Sequence, residues 1–218
     1  MHLAEGIVTS PLVLGGGVLL AAGGVAIGLR KLDEAHALRT AVLGSGFFVA
    51  SLVHIPLAGV SVHLTLTGLL GIVLGWAAFP AVLVGLVLQS VLFGFGGITT
   101  LGLNTCIMAL PAVAVYYARH GLSGRPTGKM PSPWLSGLLG GLSVALSALL
   151  LGLLLCTVGE DFFPIAGAIL LAHVPVMLVE AGVTASAVGF LHKVSPELLS
   201  GHALEKDPGE QESSVSCD

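Results

Sequence analysis

Apolar runs of bilayer length, parted by short polar connections, make up most of this chain. Ser10-Pro11 reads as a helix cap followed by proline at the first helical position, and it opens an apolar run from Leu12 to Leu29 that Arg30 and Lys31 close. The polar stretch RKLDEAHALR leads to a second run from Thr40 to Ile55, closed by His54 and Pro56 and a short loop through Val60. From Thr65 to Gly97 the sequence is apolar for about twice the length of one crossing. Trp76, Phe79 and Pro80 stand in its middle. Further runs extend from Leu103 to Ala118, Pro133 to Thr157 and Pro164 to Leu191.

Basic residues choose between one helix and two in the long run. With a break at Trp76 to Pro80, Arg30, Lys31, Arg39, Arg119, Arg125, Lys129, Lys193 and Lys206 all fall on one side; with a single helix, the group from Arg119 to Lys129 would cross over. The expectation is therefore an all-α, polytopic membrane bundle of seven transmembrane helices. Its amino terminus is outside and its carboxyl terminus cytoplasmic, in the plasma (inner) membrane. Composition agrees, since 55% of the residues are hydrophobic and 9% charged. Residues 1–202 form the bundle, with 1–10 as an amino-terminal segment that carries no basic leader and is expected to be retained. Residues 203–218 have no apolar periodicity and read as a disordered acidic cytoplasmic tail.

The glycines, 31 in all, fit close helix packing in lipid. Ala22 and Ala26, overlapped by Gly24 and Gly28, put small residues on one helix face, for internal packing or for a partner. Cys106, Cys156 and Cys217 contain no CxxC and suggest neither disulfides nor a thiolate zinc site. The sequence has no P-loop, HExxH, GxSxG or dinucleotide fingerprint, so this chain is not expected to be an enzyme, and any ATP hydrolysis belongs to another subunit. Nothing points to nucleic acid.

Histidine carries the candidate chemistry. A chain that starts Met1-His2 offers a metal its terminal amine, the His2 amide nitrogen and the His2 imidazole in adjacent chelate rings. A fourth nitrogen from His63 would complete a tetragonal site suited to Ni(II) or Cu(II). Equally, a histidine in second position can bind nothing. His54 and His63 bracket one external connection, where they either ligate or cap helix ends. Thr65, Asn104 and Glu5 are candidate pocket residues that could orient ligands or satisfy helix-terminal amides. His173 and Glu180 share a face of the last run and read as a buried structural hydrogen bond, or as part of the pathway in a self-sufficient carrier or channel.

Three stretches carry a family resemblance: MHLAEG at the start, SLVHIPLAGVSVHLTLTGLLG from Ser51, and GWAAFPAVLVGLVLQSVLFGFGGITTLGLNT from Gly75. They resemble the nickel/cobalt substrate-binding subunits (S components) of energy-coupling-factor transporters, the NikM/CbiM group. The resemblance implies metal held by Met1, His2 and His63, a transmembrane scaffold subunit, and two cytoplasmic ATPase subunits. It also makes Ala22 and Ala26 a candidate scaffold contact and implies no cofactor beyond the transported ion. Val62-His63-Leu64 looks nickel-like, which puts Ni2+ first and Co2+ second.

Overall fold

A computed structural model of the chain describes residues 2–52, 54–57, 60–122, 132–196 and 199, with the backbone alone at 35, 54–57, 60–62 and 122. The sequence-predicted tail, 203–218, lies outside the described residues, as does Met1. Seven α-helices follow the apolar runs: α1 (Pro11–Leu29), α2 (Glu34–Ala50), α3 (Thr67–Leu74), α4 (Ala78–Phe93), α5 (Leu101–Leu122), α6 (Pro133–Cys156) and α7 (Phe163–Val194). Among the described residues, five helical stretches are long and apolar enough to cross a membrane: α1, Thr67–Phe93, Leu101–Gly121, α6 and Glu160–Val194. Their outer faces carry the apolar side chains Leu12, Leu19, Trp134, Leu171 and Leu178, each more than two-thirds exposed, as a lipid-facing surface requires.

The long central run breaks at Gly75. That residue has φ +55°, which no α-helix accommodates, and a 3-10 turn over Gly75–Ala77 reorients the chain before α4. With eight residues, α3 is about 12 Å long, well short of a bilayer core. It is nonetheless almost wholly buried, and Gly68 lets its backbone approach that of Gly140 on α6 so closely that a Cβ there would lie 2.3 Å from the Gly140 Cα. Hydroxyls fasten the same contact: Thr65 Oγ1 lies 3.1 Å from Thr67 Oγ1, which lies 3.0 Å from Ser143 Oγ, and Ser143 donates to the Gly140 carbonyl.

Two expectations need correction. The second helix begins at Glu34 rather than Thr40, because Asp33 caps it by accepting the His36 N–H at 2.7 Å, and it ends at Ala50, before His54. The fold is also not purely helical. Three short strands, β1 (His2–Leu3), β2 (His54–Leu57) and β3 (Val60–His63), make an antiparallel sheet in the order β1-β3-β2. Residues read as a helix end and a loop are thus a hairpin, and the amino terminus adds the third strand.

The small-residue strip on α1 divides between two uses. Gly24 and Gly28 are buried against Phe79 and Pro80, whereas Ala22 and Ala26 face outward and line a shallow apolar hollow with Val18, Val25, Leu83 and Ile98. At one end of the bundle, Lys31, Arg39 and Arg119 gather around a common cavity with Trp76.

Candidate metal centre

Strand register explains how residues sixty positions apart meet. His2 pairs with Ser61, and a pleat returns to the same face every second residue, so His63 lies diagonal to His2 on one face of the sheet. Their ring centroids are 4.5 Å apart with the planes tilted by 33°, and both residues are buried. On the other side of β3, the register puts His54 opposite His63. The His63 ring donates from Nδ1 to the Leu64 carbonyl at 2.9 Å, which fixes the tautomer in which Nε2 holds the lone pair. Burial, followed by the positive charge of neighbouring groups, His2 and His173 among them, holds the His63 imidazole well below its usual pKa of 6.5. The ring is therefore neutral at pH 7, the form in which imidazole ligates a metal.

The amino-terminal segment is seated by α5 and the glycine-rich loop before it. Asn104 accepts the Leu3 N–H through Oδ1 at 2.8 Å and donates from Nδ2 to the Leu3 carbonyl at 3.2 Å. Thr100 donates to the same carbonyl at 3.0 Å. Leu3 is fully buried, so these bonds satisfy main-chain groups that water does not reach. Two residues on, the Glu5 carboxylate accepts the Thr99 hydroxyl at 2.6 Å. Glu5 lies directly over Gly97, where a Cβ would fall 2.0 Å from Oε2 and 3.0 Å from the Glu5 Cα. Any larger residue at 97 would collide with the segment.

Below His63, Thr65 donates its N–H to Glu180 Oε2 at 3.2 Å. The amides of Leu66, Thr67 and Gly68 face the same carboxylate, which thus caps α3 from α7. The cap is needed because Leu66, at the N-cap position with φ +51°, has no side-chain oxygen to serve. His173 donates from Nδ1 to the Ile169 carbonyl at 2.6 Å and is fully buried. Among the described residues, no three His, Cys, Asp or Glu side chains form a cluster able to hold a metal, so a complete ligand set around His2 and His63 requires main-chain or terminal nitrogen.

A family model described as the cobalt uptake substrate-specific transmembrane region, CbiM, matches residues 2–198. The chain belongs to the CbiM family. A Haemophilus influenzae protein named for metal transport is 36% identical over 202 residues, covering 92% of this chain and 97% of its own length. The fused nickel transport protein NikMN of Rhodobacter capsulatus is 32% identical over 197 residues, covering 80% of this chain and 57% of that protein. The cobalt transport protein CbiM of Sorangium cellulosum is 31% identical over 220 residues, covering 91% and 94%. A crystal structure of a transition metal transporter superposes with a TM-score of 0.76 at 25% identity, over 89% of this chain and 93% of that one. A truncated transition metal transporter gives 0.77 at 23% identity, over 89% and 99%.

Of the residues singled out in the sequence, this CbiM-family fold brings together His2, His63 and Asn104, with Glu5 above them and Thr65 below. His54 enters only through its backbone register, and Ala22 and Ala26 lie on the outer surface of α1. Sequence reasoning missed Thr100 and Thr99. The signal was present in Gly94 to Thr100, a loop of small residues and hydroxyls wedged between two apolar runs, but it was read as a connection rather than a seat.

Proposed function

We propose that this chain is the metal-capturing component of an ATP-driven transition-metal importer, with Ni2+ the preferred cargo and Co2+ second. The observation that carries the reading is the pairing of β1 with β3, which buries His2 against His63 at a ring separation of 4.5 Å. The ligands are then the Met1 amine, the His2 amide nitrogen, the His2 imidazole and His63. An all-nitrogen tetragonal set favours Ni(II), and a neutral His63 agrees with that role. Asn104, Thr100 and Glu5 act on the backbone that presents these donors and need not touch the ion.

Capture and energy supply are divided between subunits in this reading. The chain contains no nucleotide-binding motif, so a transmembrane scaffold and two cytoplasmic ATPases supply the cycle, with Ala22 and Ala26 on α1 against the scaffold. The path of the chain favours seven crossings with the amino terminus outside. The end of α1, the turn at Trp76 and the end of α5 border one basic cavity, while the metal-site residues Leu3 and Asn104 meet far along the chain from these turns.

The decisive experiment measures radioactive nickel uptake in cells that also express the partner subunits. Residues added before Met1, or His2→Ala, are expected to abolish uptake and to remove the d–d absorption of nickel bound to the purified chain. Uptake that survives the extension would sink the ligand assignment. Nickel flux into vesicles containing this chain alone, without ATP, would favour a self-sufficient carrier instead.

A further inference from the structure

The cavity at the basic end of the bundle takes no part in metal capture. It has a volume of about 180 Å³ and is bordered by Lys31 after α1, His36 and Arg39 on α2, Trp76 in the turn between α3 and α4, and Arg119 and His120 on α5. That space is several times what one buried water needs. Three elements thus aim permanent cations and imidazoles at one concavity, and no carboxylate lines it among the described residues. The acid on the same connection, Asp33, is engaged by His36, whose main-chain N–H and Nδ1 approach Oδ1 at 2.7 and 2.8 Å.

The wall is held in place without spending its charge. The Arg119 guanidinium donates from Nη1 to the Ile72 carbonyl and from Nη2 to the Leu199 carbonyl, both at 2.6 Å. Ile72 is one of the last carbonyls of α3, so the cation sits at a helix carboxyl end. Carbonyl dipoles fix the side chain but leave its formal charge uncancelled. Beside it, the Trp76 indole donates to the Tyr117 hydroxyl at 2.9 Å, the amphipathic pairing found where a membrane meets water. Lys31 is exposed and Arg39 half-buried, so both can reach a ligand entering from the interface.

From this geometry we infer that the cavity is a binding site for a phosphate group, bridged by Lys31, Arg39 and Arg119 at the level of the lipid headgroups. Basic pockets between transmembrane helices recognise anionic headgroups through this chemistry, a phosphate held by several cations with the acyl chains lying along the apolar helix faces. Free inorganic phosphate offers the same oxygens without the chains.

The test uses the full chain purified in detergent, titrated with dioleoyl phosphatidylglycerol, dioleoyl phosphatidylcholine or inorganic phosphate, with native mass spectrometry counting bound ligand. Phosphatidylglycerol is expected to bind with clear preference over phosphatidylcholine. The double variant Lys31→Gln, Arg39→Gln should weaken that binding roughly thirtyfold, two charges' worth at a membrane surface. Arg30→Gln removes a neighbouring cation that does not line the cavity and should leave binding unchanged. Displacement of the lipid by millimolar phosphate identifies free phosphate as a ligand of the site, and failure to displace it identifies the lipid. Equal retention of the two lipids together with no phosphate binding overturns the inference. So does an Arg30→Gln effect as large as that of the double variant. Unchanged thermal unfolding of the variants, which replace no buried side chain, shows that a loss of binding is not a loss of fold.

Discussion

Asn104→Ala isolates the seating of the amino-terminal segment from the chemistry of the ligands. The substitution removes the acceptor of the Leu3 N–H at 2.8 Å and one of two donors to the Leu3 carbonyl, which keeps Thr100 at 3.0 Å. A buried amide left without a partner costs about 1–3 kcal/mol, and a shared carbonyl bond adds less than a full one. The working figure is therefore about 2 kcal/mol against the docked segment, which corresponds to at most roughly thirtyfold in apparent nickel affinity, because only the docked fraction binds. Asn104→Asp separates the two bonds, since it keeps an acceptor for Leu3 N–H and loses the donor. Nickel titration followed by absorption, run beside amide hydrogen exchange at Leu3, reads both effects. Faster exchange at Leu3 with weakened nickel binding is expected for Asn104→Ala. Exchange and affinity both within about threefold of the parent, against the thirtyfold expected, would refute the view that Asn104 holds this segment.

Other substitutions address neighbouring elements. Gly97→Ala drives a Cβ into Glu5, including its main chain, and is expected to cost about 1–3 kcal/mol of segment docking while leaving helix content by circular dichroism unchanged. Glu180→Leu uncovers the start of α3 and should destabilise the protein by about 1–3 kcal/mol, whereas Glu180→Gln, which keeps an acceptor for Thr65, should retain most of that stability in thermal unfolding. The folded chain resists protonation of His63, so it binds fewer protons than the unfolded chain below pH about 6.5. The apo protein is thus expected to lose stability as pH falls through that value, by up to about 1.4 kcal/mol per pH unit for the one group. His63→Gln should flatten this part of the profile, and an unflattened profile would assign the acid sensitivity elsewhere.

The helices were legible because each rests on a long apolar run, and runs are read directly. The start of α2 was not, because Glu34, His36 and Arg39 are polar and the helix was equated with its apolar part; the Asp33 cap was the overlooked sign. The strands were hidden for a different reason. His54–Leu57 and Val60–His63 have four residues each and His2–Leu3 two, too few to establish a period, and the pairing that stabilises them comes from distant chain. In the candidate site, the histidines stood out as residue types, while the hydrogen bonds of Asn104 and Thr100 to a main chain about a hundred positions earlier left no local trace. Glu180 and His173 were read as sharing a buried face, and they do, but the sequence could not show that the carboxylate serves α3.

The sheet order β1-β3-β2 also sets a timetable for assembly. Leu3 finds its partner in Asn104, 101 positions further on, and His2 finds its own in a strand that closes only at His63. The first residues to leave the ribosome therefore have nowhere to settle until the hairpin and α5 exist. Such a segment stays a loose end through most of synthesis and is locked in only when the bundle around it is complete. A metal held there would bind completed chains and pass over half-made ones, so that capture of the ion doubles as proof that the protein has finished folding.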